Sequence, residues 1–156
     1  MSEFGAITDY LPHRPPMVFI EEIVEVLTNN GTCRTTIRPD CIFAIDGKVH
    51  PSAMIEFVAQ VCSICVGVTA AREGGPPRMG LIMGCREVAF AIPHFDVGDV
   101  LDISVEKTFG EIQVAAFVGT VKRRGEVVTT VHLSVVDAEA AANHVAGFAA
   151  ASGAES

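Results

Sequence analysis

An α+β fold, in which a curled antiparallel sheet wraps one long helix, is what this chain predicts. Three observations carry that reading. Hydrophobic residues make up 49% of the chain and charged ones 19%, against about 25% charged in an average domain, so there is unusually much apolar surface to bury. One segment runs from Pro51 without Gly or Pro until Gly67, and around it lie period-two runs bounded by turn residues. At 156 residues the chain has room for one domain and one core, and a chain of this size hides about 68–70% of its unfolded surface without needing disulfides or metal.

Taken in order, residues 18–26 form a mostly apolar β-branched run, and Asn29-Asn30-Gly31 is a hairpin-type turn into a second strand over 33–37. Residues 40–48 read as an irregular loop carrying Phe43 and Asp46-Gly47. Pro51 then opens the only long helix, of four to five turns. Gly74-Gly75-Pro76-Pro77 breaks the chain. Strands follow at 80–90, 100–109, 113–123 and 127–136, where the alternation of Leu101, Ile103 and Val105 suits half-buried antiparallel strands. The sheet and helix make a single domain over 1–137, and 138–156 is an Ala-rich C-terminal tail whose start can be helical and whose end frays.

The helix has no charged solvent face, so other structure must cover it. Within it Glu56, Gln60, Ser63 and Gly67 recur at steps of four, three and four, which places its polar and small positions on one stripe. A carboxylate there must find a partner or be pushed towards its neutral form, and a tuned carboxyl is what general acid–base chemistry uses. The same glutamate also fits a satisfied core or interface acid, and the pattern alone leaves the two readings level.

Eleven basic and 19 acidic side chains give a net charge of −8, which argues against nucleic acid or an anionic membrane as partner, since both need a basic footprint. The longest uncharged run, 57–71, is short of the roughly 20 residues that cross a bilayer. The start Met1-Ser2-Glu3-Phe4 lacks the pattern of a secretory signal, so a cytoplasmic location is expected. Cys33, Cys41, Cys62, Cys65 and Cys85 are odd in number and scattered, and they read as reduced core residues rather than a redox pair. The five histidines offer no zinc-type pairing with them, so no metal is expected.

Two motifs add a resemblance. Leu11-Pro12-His13-Arg14-Pro15-Pro16-Met17-Val18-Phe19-Ile20-Glu21-Glu22 resembles the opening of the 3-hydroxyacyl thioester dehydratases of fatty-acid synthesis, and Glu56-Phe57-Val58-Ala59-Gln60 is similar to their helix signature Glu-Ala-x-Ala-Gln. The likeness is nearest to the aryl-polyene-type acyl-carrier-protein dehydratases, because Leu81-Ile82-Met83-Gly84-Cys85-Arg86-Glu87-Val88 and Phe95-Asp96-Val97-Gly98-Asp99-Val100-Leu101 also match their pattern. It spans residues 10–136. The resemblance implies a hot-dog fold, dimers that pair their sheets, an active site at the dimer interface, and Glu56 as catalytic acid with Gln60 beside it.

One departure stands out. The resembling dehydratases carry a histidine base fourteen residues before the helix glutamate, and that position here is Ile42. His50, at the mouth of the helix, is the nearest replacement, although six residues turn about 240° around a helix, so it shares a face with Glu56 only if the entry loop bends back or the site is shared between protomers. His13 is the second candidate, with Pro12, Pro15 and Pro16 suggesting a rigid turn around it. His94 and His132 read as structural or exposed.

The expected reaction is dehydration of a 3-hydroxyacyl thioester on acyl-carrier protein to the trans-2-enoyl thioester. It needs a base for the α-proton, donors for the carbonyl oxygen and an acid for the departing hydroxyl. Backbone N–H groups around residues 51–53, or in the strand near Gly80 and Gly84, are candidate donors. Phe57, Gln60 and Gly84 are candidate substrate contacts, Gly84 reading equally as a bulge or packing point. No cofactor is expected beyond the phosphopantetheine that carries the substrate, whether on carrier protein or coenzyme A. Because carrier protein is acidic, docking needs a positive patch, for which Arg72 and Arg78 are the candidates. Two alternatives stand beside this reading: a non-catalytic, acyl-thioester-binding subunit of a homo- or heterodimer, motivated by Ile42, and a hot-dog thioesterase.

Overall fold

The computed structural model describes residues 3–76, 78–110 and 113–152. A short N-terminal helix, α1 (Ile7–Tyr10), leads through the proline-rich segment to the hairpin β1 (Glu22–Val26) and β2 (Asn30–Thr36). Two-residue strands β3 (Ala44–Ile45) and β4 (Lys48–Val49) follow, then a 3-10 turn (Pro51–Ala53) that runs directly into α2 (Met54–Arg72). The rest is β5 (Gly80–Phe90), β6 (Phe95–Asp96), β7 (Val100–Gly110), β8 (Val114–Arg123), β9 (Glu126–Asp137) and a terminal helix α3 (Ala138–Ser152).

Six strands form one antiparallel sheet in the order β1-β2-β7-β8-β9-β5, and β3, β4 and β6 form a small second one. Period-two alternation decides which face meets α2. Cys33, Leu101, Ile103, Val105, Phe117, Val121, Val131 and Leu133 point inward and are buried, as are Met54, Phe57, Val58, Val61 and Ile64 of the helix. Gly119 permits the close approach, because a Cβ there would collide with the side chain of Val58. This is the expected hot-dog arrangement.

Several local expectations change. The first hairpin turns at residues 27–30, closed by Leu27 N–H on Asn30 O at 2.8 Å, so Asn30 and Gly31 already belong to β2. The loop over 40–48 contains a hairpin whose turn, Asp46-Gly47, takes φ of 51° and 73°. Gly67 does not weaken the helix end. It lies inside α2 because Tyr10 O sits where its Cβ would be, and the helix continues to Arg72. The helical start expected in the Ala-rich tail extends over residues 138–152, and its end, 153–156, lies outside the described residues. The segment Pro51–Arg72 is long and apolar enough to cross a membrane by length and composition, but the sheet buries most of it as the core helix.

The edge strand β5 differs from the rest of the sheet. Its residues are exposed along nearly the whole length on both faces, including Leu81, Ile82, Met83 and Phe90. An isolated hot-dog unit therefore presents an apolar sheet edge to solvent, the kind of edge that ordinarily pairs with another strand.

Candidate active site

The Leu-Pro-His-Arg segment and the helix signature meet. Leu11 is buried and anchors the start of the segment, and Arg14 ties it down by donating Nη1–H to Leu11 O at 2.9 Å and to His13 O at 2.7 Å. His13 then projects towards α2, where its Nε2 lies 3.2 Å from Glu56 Oε1. Side-chain exposures of 32% for His13 and 27% for Glu56 leave the pair reachable from solvent while half-buried.

Gln60 locks this junction. One turn after Glu56 on the helix, its Nε2 donates to Met17 O at 2.7 Å and to Glu56 Oε1 at 3.0 Å. Its Oε1 accepts from Phe19 N–H at 3.0 Å, while Phe19 O accepts from the Thr35 hydroxyl at 2.6 Å. The chain entering β1 is thereby held to the helix on one side and to β2 on the other. The polar stripe inside an apolar helix is explained: it satisfies backbone groups that burial would otherwise strand, and it aims Glu56. Oε1 of Glu56 accepts from Gln60 and is the same oxygen that His13 Nε2 approaches.

The other expected residues fall elsewhere. His50 caps the helix entrance: its Nδ1 accepts from Ser52 N–H at 3.2 Å and lies 2.8 Å from Ser52 Oγ, with Phe90 edge-on at 6.5 Å. The entry loop does not bring it to Glu56. The backbone donors expected at residues 51–53 are already used, since Ser52 N–H meets His50 Nδ1 and Ala53 N–H meets His50 O. Phe57 is 2% exposed and stacks on Phe19, which stacks on Phe43; it builds the floor under the site instead of a surface for substrate. Gly84 stands beside a bulge in β5 with open space where a Cβ would be, so it is a bulge and not a tight packing point. Ile42 is 47% exposed, an apolar side chain where the resembling enzymes hold a base.

Arg72 takes part in holding the fold. It donates Nη1–H to Val26 O at 2.8 Å, and its guanidinium covers the Phe4 ring. Arg78 lies 3.9 Å from Asp137. Of the cysteines, Cys33, Cys62 and Cys65 are buried as expected, while Cys85 is exposed on β5. Burial pushes the Cys65 thiol up to about 12 and raises Cys33 and Cys62 as well, helped by the neighbouring Cys65, which keeps these thiols neutral and inert. Among the described residues no His, Cys, Asp and Glu side chains cluster as a metal site.

A family model described as ApeP dehydratase, of the ApeP-like group, matches residues 5–146. Among curated proteins none matches the chain. The chain is similar to the solved dehydratase heterocomplex ApeI:P from Xenorhabdus doucetiae, with 27% identity and a TM-score of 0.83 over 86% of this chain and 92% of that one. A hypothetical thioesterase with coenzyme A from Streptococcus pneumoniae TIGR4 shares the fold, at 13% identity and a TM-score of 0.58 over 74% of this chain and 84% of that one. So does smu.793 from Streptococcus mutans UA159 bound to acetyl CoA, at 12% identity and a TM-score of 0.59 over 80% and 92%.

Proposed function

This chain belongs to the ApeP-like dehydratase family, and from that premise we propose that it removes water from a 3-hydroxyacyl thioester, carried on the phosphopantetheine of an acyl-carrier protein, to give the trans-2-enoyl thioester of a polyene-type biosynthesis. One observation carries the reading. The two motifs that resemble the dehydratases, distant in sequence, converge on a half-buried His13–Glu56 contact whose geometry is held by Gln60. Protonated Glu56 gives the departing hydroxyl its proton, and the α-proton is taken within the same small cluster.

A second hot-dog subunit belongs to this proposal. The exposed apolar edge of β5 supports sheet pairing with such a subunit, and the similar Xenorhabdus doucetiae protein is a heterocomplex. The five free thiols fit the reducing cytoplasm as the place of reaction. Ile42, where the resembling dehydratases hold a histidine, favours a second reading in which this chain binds the acyl thioester and completes a dehydratase without performing the chemistry.

The test uses a carrier protein loaded with a 3-hydroxyacyl chain and follows the intact thioester by mass spectrometry for loss of one water, with this chain alone and together with a second hot-dog dehydratase subunit. Water loss that falls by about 10²–10⁴ in Glu56→Gln supports the dehydratase reading. Water loss that appears only in the mixture and survives Glu56→Gln assigns the chemistry to the other subunit. Release of free thiol in place of water loss would identify a thioesterase.

A further inference from the structure

Resting on the dehydratase reading, we infer that Thr35 is a positioning residue for Glu56: its hydroxyl on β2 sets the place of that carboxylate through the backbone of Phe19 and the amide of Gln60. Strand β2 turns Gly31, Cys33 and Thr35 towards the core, where alternation asks for apolar side chains. Thr35 is 1% exposed, and a hydroxyl so buried is unfavourable unless it finds a partner. Its partner is Phe19 O, at 2.6 Å.

The path of the chain before β1 makes that bond necessary. Ladder pairing of β1 with β2 begins at Glu22 and Arg34, preceded by one bond from Glu21 N–H to Arg34 O at 3.4 Å. Residues 17–20 run outside this ladder on their way from the His13 segment. Phe19 is nevertheless buried, so its backbone N–H and C=O need partners. Side chains supply them: Gln60 Oε1 accepts Phe19 N–H at 3.0 Å, and the Thr35 hydroxyl donates to Phe19 O. Two residues back, Met17 O accepts from Gln60 Nε2 at 2.7 Å.

These contacts lead from β2 to the site. Among the described residues the buried polar side chains are Thr35, Gln60, Asp99 and Thr129. Asp99 is held by Arg123 and the Thr129 hydroxyl has no partner, whereas Thr35 and Gln60 meet the same backbone residue. Gln60 cannot turn its amide over, because Oε1 faces the Phe19 donor and Nε2 the Met17 acceptor. Nε2 also donates to Glu56 Oε1 at 3.0 Å. A displaced Phe19 therefore displaces Gln60 Oε1, and with it the donor that orients Glu56. The Phe19 ring adds a second connection, since it stacks at 4.9 Å on Phe57, the residue after Glu56 in the helix.

Thr35 bonds to Phe19 and not to the carboxylate, so its contribution is geometric. A carboxylate set slightly out of place still admits substrate but meets the reacting atoms poorly, and the loss falls on kcat rather than on KM.

The test follows water loss from the 3-hydroxyacyl carrier protein, with whichever subunit combination turns over. Thr35→Val keeps the shape and removes the donor; it lowers kcat about tenfold and leaves KM within about twofold. Thr35→Ser, which restores the hydroxyl, recovers most of the loss. Ile103→Val, at a fully buried position of β7, lowers Tm comparably and leaves kcat unchanged, which separates geometry from stability. Hydrogen exchange at the Phe19 amide quickens in Thr35→Val and not in Ile103→Val. In a Gln60→Met background the valine change lowers kcat by less than about twofold, because residues acting through one contact do not add. Should Gln60→Met not fold, the valine and serine variants and Phe19 exchange decide.

Wild-type kcat in Thr35→Val, a loss that serine does not recover, a loss that Ile103→Val reproduces, or a full loss persisting in Gln60→Met would each overturn the assignment and leave the dehydratase reading intact. Absence of water loss from wild type in every combination, or water loss that survives Glu56→Gln, would remove the reading for this chain and this inference with it.

Discussion

Gln60 is the residue on which fold and site depend together. It is fully buried, and its amide answers a backbone N–H, a backbone carbonyl and the Glu56 carboxylate. Replacing it with leucine leaves Phe19 N–H and Met17 O unpaired in the interior, at about 1–3 kcal/mol for each group. Gln60→Leu is therefore expected to lose about 2–6 kcal/mol of stability in denaturant unfolding, and a loss below about 1 kcal/mol would show that water or a rearranged chain meets these groups. The stripe of Glu56 and Gln60 was legible from helical spacing alone. The choice of His13 over His50 was not, because neither the path of the proline-rich segment nor the capping of the helix by His50 has a local signal.

At the scale of the element, helix α2 and the strand β8 illustrate packing by omission. Val58 is completely buried and occupies the space a Cβ at Gly119 would need. Gly119→Ala must move a β-branched side chain with nowhere to go, for about 1–3 kcal/mol of overpacking. Thermal unfolding checks this, and pairing it with Val58→Ala should recover part of the loss, since two residues in contact do not act additively. The four long strands between residues 80 and 137 were readable in sequence nearly to the residue because alternation reports a half-buried face. The helix end was not, because Gly67 serves a contact with Tyr10 that lies far away along the chain.

For the whole molecule, the sheet ends on an edge that is unlike its other strands. Along β5, Met83 is 62% exposed, with Leu81 and Ile82 exposed beside it, and no element among the described residues covers them. If β5 pairs two hot-dog subunits as proposed above, Met83→Glu shifts the assembly from dimer to monomer in sedimentation without loss of its far-UV helix and strand signal, since a desolvated, unpaired charge at an interface costs far more than one in water. An unchanged sedimentation coefficient would mean that the assembly uses another face. Dehydratase activity should fall with the dimer if the site is completed by the second subunit.

Sequence alone determined the class of fold, the long central helix with Glu56 and Gln60 on one stripe, and the positions of the long strands, because hydrophobic period and turn chemistry are local and written in order along the chain. The tertiary structure decided which histidine meets Glu56, that Arg72 binds the Val26 carbonyl, and that Phe57 lies under the site. Those outcomes depend on residues brought together from distant segments, where closing of the sheet around the helix, and not spacing, sets the distance between charges and lone pairs.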